Sequence, residues 1–156
     1  FSVGVAFQTD MNYNYFGNRN KGAILYYKYG TGVSFRFGKY SDVFNFSTGI
    51  RWMGLGISGD SYSKGNYCNY IVFPGDIKFN LFYMGSRCKL YTGGGFEYGL
   101  GLKQSHNFMD WNTCLGVNSR HVDWNLYYKH YMKCKDVEIF PGNLKHHIGT
   151  SLTYYF

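Results

Sequence analysis

Alternation with a period of two runs through most of this chain and constrains its fold more than any other feature. In residues 1–8, Phe1, Val3, Val5 and Phe7 alternate with Ser2, Gly4, Ala6 and Gln8. A strand places every second side chain on the same face of a sheet, so this segment has one bulky apolar face and one small or polar face. The same split recurs over residues 31–38, with a start as early as Leu25, and over 44–52, 76–83, 90–102, 109–117, 122–129 and 147–156. Phe82, on the polar side of its segment, is an exception. Eight strands are therefore predicted.

Composition points the same way. With 21 Gly, 17 Tyr and 14 Phe beside only two Pro, the chain favours strands and tight turns over helices, which Gly weakens. No uncharged apolar stretch reaches the roughly 18 residues that a membrane-spanning helix needs. Length and the lack of a linker predict a single domain over 1–156. The net charge of +7 comes from basic residues scattered singly, whereas nucleic-acid binding needs a concentrated footprint, so no nucleic-acid partner is expected. Cys68, Cys88, Cys114 and Cys134 form no CxxC pair and no zinc spacing, so neither a metal site nor a cofactor is expected. A start at Phe1, without initiator Met or signal sequence, fits a processed or trimmed product.

The connections between strands carry a second, independent pattern: they alternate long and short. Residues 9–24, 58–70 and 132–143 are long and 103–108 intermediate, while GKYSD, MGSRC and NSRH are short. All short turns then fall at one end of the sheet, as in outer-membrane barrels. In a soluble barrel the apolar parity would line the interior; in a membrane barrel it faces lipid. The other parity decides between them. It mixes Gly, Ser and Asn with single charges of both signs, namely Lys28, Arg36, Arg51, Lys78 and Lys129 with Asp76, Glu97, Asp110 and Asp123. Such a nearly balanced set suits a buried ion-pair network in a narrow barrel, with Glu97 expected beside Arg51, Arg36 or Lys78. The apolar face also ends in two aromatic belts. Phe1, Phe37, Phe44, Tyr83, Trp124 and Phe156 lie near the short turns, and Trp52, Trp111 and Tyr128 near the long loops. The predicted class is thus an all-β, eight-stranded antiparallel up-and-down transmembrane β-barrel.

The terminal TSLTYYF, with Ile148, Thr150, Leu152, Tyr154 and Phe156 on one face, resembles the C-terminal signal of bacterial outer-membrane barrels. With the eight-strand meander, the whole chain looks like a small barrel of the OmpX or OmpA-barrel type, and its Gly- and Tyr-rich texture is similar to versions from Bacteroidetes. The resemblance implies recognition of the last strand by the barrel assembly machinery, and a bacterial outer-membrane location with periplasmic termini and extracellular long loops. It also implies contact with outer-membrane lipid and lipopolysaccharide.

Function is less constrained. A lipid A deacylase of the PagL type has a His-x-Ser, but no His here has Ser two positions later. A PagP-type palmitoyltransferase needs an open lumen, and omptin-type proteases use larger barrels with paired carboxylates in tall loops. The leading expectation is a non-enzymatic surface barrel, adhesive through its loops or an accessory subunit of a larger outer-membrane complex. The alternatives are a lipopolysaccharide-modifying enzyme and a small passive pore. Glu97 reads either as a catalytic carboxylate or as an ion-pair partner. Cys68 and Cys134, in separate long loops, read either as a disulfide or as free thiols. Arg19, Lys21, Lys64, Lys133 and Lys135 supply basic loop charge for lipopolysaccharide phosphates or for solvent. If the last hairpin is symmetric about residue 138, His130 sits opposite His146 on the outer face, as a plain interfacial pair or as a contact for lipid phosphate or a metal.

Overall fold

A computed structural model of the chain describes residues 1–13, 25–38, 43–58, 66–85, 87–103, 105–134 and 146–156. Its eight strands are β1 Ser2–Tyr13, β2 Leu25–Phe37, β3 Phe44–Ser58, β4 Asn66–Met84, β5 Cys88–Leu102, β6 Phe108–Ser119, β7 Val122–Cys134 and β8 His146–Tyr155. They form a closed antiparallel barrel in sequence order. β8 returns to β1 in a register that sets Gly4 opposite Tyr155 and Met11 opposite Ile148. Closure leaves no strand edge open to pairing with another chain. The described residues contain no helix. The fold class read from alternation is therefore the observed one, an all-β, eight-stranded up-and-down barrel.

At one end the connections are short, at residues 38–43, 85–87 and 120–121. Gly85, in the turn between β4 and β5, adopts φ 72°, a left-handed conformation that strains a residue carrying a Cβ. Both chain ends described here lie at this end. The Tyr155 N–H donates to the His121 carbonyl at 2.6 Å, and the Phe156 N–H to the Val3 carbonyl at 3.0 Å.

At the opposite end the strands run further than alternation predicts. β1 continues to Tyr13, β3 to Ser58 and β7 to Cys134, and β4 begins at Asn66 rather than near 76. In β3 and β4 the reason is that the inner positions there are themselves apolar. Met53 and Leu55 in β3, and Tyr70 and Val72 in β4, are buried inside the barrel. Both faces of those stretches are hydrophobic, so the polar and apolar parities cannot be told apart. Pro74 adds to the masking, since proline in a strand interior removes a ladder donor. The β3–β4 register passes from Thr48↔Gly75 directly to Arg51↔Val72, and the Thr48 hydroxyl donates to the Pro74 carbonyl at 2.6 Å.

Phe82 is explained by a bulge. The β4–β5 register shifts between Asn80 and Phe82, so Leu81 is an extra residue and the strand is rephased beyond it. Leu81 and Phe82 consequently both face outward. A second shift in the β6–β7 pair, between Met109 and Asp110, makes Met132 the extra residue on β7.

Candidate functional site

The barrel is turned inside out relative to a water-soluble protein. Its buried polar set includes Gln8, Lys28, Ser34, Arg36, Asn45, Lys78, Lys89, Glu97, Asp110, Asn112, Asn118, Asp123, Asn125, Lys129 and His147. The exposed large hydrophobic side chains outnumber the buried hydrophobic ones severalfold and occur on all eight strands. Soluble monomers rarely expose contiguous apolar patches beyond a few hundred Å².

All nine charged residues assigned to the lumen from sequence lie on the inner face. Glu97, 2% exposed, is held between two cations from different strands. Lys129 Nζ donates to its Oε2 at 2.6 Å, and Arg51 Nη1 to its Oε1 at 3.3 Å. Arg51 Nη1 also donates to Gln8 Oε1 at 2.5 Å, and Lys129 Nζ sits 4.6 Å from the centre of the Tyr127 ring. Nearer the short turns, Lys78 Nζ donates to Asp123 Oδ2 at 2.7 Å. The Tyr91 hydroxyl donates to Asp123 Oδ1 at 2.6 Å and accepts from Asn125 Nδ2 at 3.1 Å. Asp76 accepts from Asn112 Nδ2 at 2.9 Å. Asp110 is fully buried.

Two of the three partners predicted for Glu97 are elsewhere. Lys78 is engaged by Asp123. Arg36 lies lower, where its guanidinium stacks 4.1 Å from the Tyr155 ring centre and donates to Asn118 Oδ1 at 3.2 Å and to the Arg120 carbonyl at 3.0 Å. Parity places a residue on the inner face, but only the register sets its height, and the sequence does not display the register. Sequence reasoning also missed Lys89, buried over the Tyr83 ring at 4.5 Å. It shares parity with Tyr91, but the strand is predicted to start one residue later. Among the described residues, the inner cations therefore number one more than predicted.

The lumen is not polar throughout. Toward the long-connection end, Tyr70 and Tyr131 each pack edge-on against Phe108, at 5.0 and 5.2 Å between ring centres. Tyr131 stacks edge-on against His147 at 4.9 Å. Lys28 Nζ donates to the Tyr131 hydroxyl at 2.9 Å and lies 5.6 Å from the centre of the Phe108 ring. These rings, with Met53, Leu55 and Val72, fill this part of the lumen with buried side chains. Gly99 makes room for the plug, because a Cβ there would stand 2.0 Å from a Phe108 ring carbon. Below it, between Gln8, Arg51, Glu97, Asn125 and Lys129, remains a cavity of about 30 Å³, room for roughly two waters. Aromatics thus line the inside as well as the outside, against the simple sorting that alternation suggests.

Of the residues assigned to the belts, all but Tyr83 lie on the outer face, exposed or half-buried. Near the short turns, Phe1 contacts Phe37 at 5.2 Å, Phe37 contacts Phe46 at 6.0 Å, and Phe44 contacts Phe79 at 6.5 Å. Trp124 and Phe156 share that face, whereas Tyr83 does not belong to the belt: the β4 bulge rephases the strand, so Tyr83 pairs with inner Lys89 in the β4–β5 register and lies under its ammonium at the barrel rim. Near the other end, Tyr29 contacts Trp52 at 5.5 Å, and Trp111 contacts Tyr128 at 5.7 Å. In β8, Ile148, Leu152 and Tyr154 point outward with Phe156 beyond them. Thr150 is half-buried and donates to the Asn125 carbonyl at 2.8 Å.

Cys68 and Cys134 are in strands rather than loops, in β4 and β7. These strands are not neighbours, and Cys68 carries a free thiol, so the disulfide reading is corrected. Cys88 and Cys114 are free thiols as well. Of the basic loop residues, Arg19, Lys21, Lys64 and Lys135 lie outside the described residues, as does the Lys133 side chain. His130 and His146 face each other in the β7–β8 register. No group of three His, Cys, Asp or Glu side chains converges among the described residues.

No known family matches the chain, and no curated protein does. Among solved structures, the N-terminal β-barrel domain of Pseudomonas aeruginosa OprF is similar at 10% identity, covering 99% of this chain and 97% of that one, with a TM-score of 0.47. At that level neither function nor cellular location transfers to this chain.

Proposed function

We propose that this chain is an integral outer-membrane β-barrel without catalytic chemistry. It presents its outer loops for adhesion or interaction, or docks its lipid-facing wall onto a larger outer-membrane complex as an accessory subunit. The observation that carries this is the inversion of polarity: paired charges inside, and an apolar wall with aromatic belts at both ends outside. Only a hydrocarbon solvent stabilises that arrangement, because in water the exposed wall would drive association. Strand length supports it. Even β8, at 10 residues, meets the roughly 9–11 that a tilted strand needs to cross the bilayer. Insertion by the barrel assembly machinery, with short turns in the periplasm and long loops facing lipopolysaccharide, goes with that placement.

The two other classes are less well supported. A passive pore fits poorly with a lumen packed with the buried side chains of Phe108, Tyr131, Tyr70 and Leu55. As for enzymes, Glu97 is locked between two cations rather than offered to a substrate. The test is native-membrane fractionation, purification in mild detergent and mass spectrometry of what co-elutes. The expected result is recovery with outer membranes, with a large outer-membrane protein alongside if the docking role holds. Recovery as a soluble monomer would overturn the membrane reading, and a lipid A profile that depends on the protein would overturn the non-enzymatic one.

A further inference from the structure

On the outer wall, at the long-connection end of the β7–β8 hairpin, three polar atoms converge in an otherwise apolar belt. His130 and His146 are directly opposite in the register, with ring centres 4.6 Å apart and their Nδ1 atoms separated by 3.3 Å. The Tyr128 hydroxyl reaches the same His146 Nδ1. Trp111 forms the wall beside them, 5.8 Å from the His130 ring and 5.7 Å from Tyr128.

A neutral imidazole nitrogen carries either one proton or one lone pair. With a proton on one of the two Nδ1 atoms, hydrogen bonds satisfy the group. With both rings protonated at Nε2 instead, two Nδ1 lone pairs face the same space 3.3 Å apart, an arrangement in which one cation accepts both.

We propose that His130 and His146 form a two-point binding site for a borderline divalent transition-metal ion such as Zn²⁺ or Cu²⁺, with Tyr128 beside it as a third oxygen donor or as a hydrogen-bond partner to metal-bound water. The spacing fits. With metal–nitrogen distances of about 2.0–2.1 Å, nitrogens 3.3 Å apart subtend roughly 105–110° at the metal, close to the tetrahedral angle. Imidazole donors select zinc and copper over calcium or magnesium, which take oxygen ligands. The ion staples the ends of β7 and β8 together on the outer wall. The site stands on side-chain geometry and does not depend on the membrane reading, so either can fail without the other.

Copper is the probe of choice, because it heads the affinity order among divalent ions and reports its ligands directly. Untagged protein, folded in detergent micelles, is titrated with Cu²⁺ and followed by electron paramagnetic resonance. One Cu²⁺ per chain with two coupled nitrogens is expected. His130→Ala or His146→Ala should leave one coupled nitrogen and weaken binding by at least about tenfold, while His106→Ala, in another connection, changes nothing. Since a variant could disturb the hairpin, Zn²⁺ protection of the wild-type His130 and His146 rings from acylation by diethyl pyrocarbonate, mapped by mass spectrometry, provides a second measurement. Fewer than two coupled nitrogens in the wild type, a spectrum unchanged in His146→Ala, or no Zn²⁺ protection at these two rings would overturn the proposal.

Discussion

Replacing Glu97 by Gln tests the lumen most severely, because this one carboxylate serves two buried cations. Lys129, itself 2% exposed, is 2.6 Å away and Arg51 is 3.3 Å away. Removing one member of a buried ion pair costs about 3–5 kcal/mol, since the remaining charge is left without compensation. Two contacts soften the loss. Arg51 keeps its hydrogen bond to Gln8, and Lys129 keeps the face of Tyr127, a cation–π contact that contributes on the order of 2 kcal/mol when desolvated. The expected loss therefore lies at the lower end, about 3 kcal/mol, or on the order of a hundredfold in the unfolding equilibrium. Urea unfolding in lipid vesicles, followed by tryptophan fluorescence, measures it, with heat-dependent gel mobility as a check on folding. Lys129→Met in the Glu97→Gln background should recover part of the loss, because it removes the orphaned charge and leaves a side chain of similar length. A single-variant loss below about 1 kcal/mol with no coupling to Lys129 would refute the reasoning, and would mean that water solvates these charges.

Further outcomes follow from the same structure. Asp123→Asn should cost about 3 kcal/mol, because it leaves Lys78 buried without a counter-charge, and Lys78→Met should suppress that loss in the double variant by denaturant titration. Gly99→Ala should destabilise the barrel by about 1–3 kcal/mol, since its Cβ drives into Phe108, and Phe108→Leu should relieve it in the same assay. In planar bilayers the wild-type protein should show no stable conductance, while replacing Phe108 and Tyr131 together by Ala should open steps. Steady conductance in the wild type would contradict the plug.

The part of the fold that could be read from sequence is the part where inside and outside differ chemically. In β5, Tyr91, Gly93, Gly95, Glu97 and Gly99 face the lumen while Thr92, Phe96, Tyr98 and Leu100 face out, and alternation marks the strand almost to its ends. Around Met53, Leu55, Tyr70 and Val72 both faces are apolar. The contrast vanishes there, so alternation does not mark the ends of those strands. Bulges were equally invisible, as Leu81 and Met132 differ from their neighbours only in register. Individual inner residues were legible from parity, but their partners were not, because tilt and register bring residues from distant strands to one height. Glu97 and Lys129 illustrate this, joined from β5 and β7. The cross-strand pairing of His130 with His146 was legible because the β7–β8 register runs without a shift over that stretch, so hairpin arithmetic sufficed.

The central claim is that the apolar wall faces hydrocarbon, and Trp52, Trp111 and Trp124, all on that wall, report on it directly. With the protein folded into vesicles, lipids brominated along their acyl chains should quench tryptophan emission strongly, whereas aqueous iodide should have little effect. Emission insensitive to brominated chains but quenched by iodide would contradict the account.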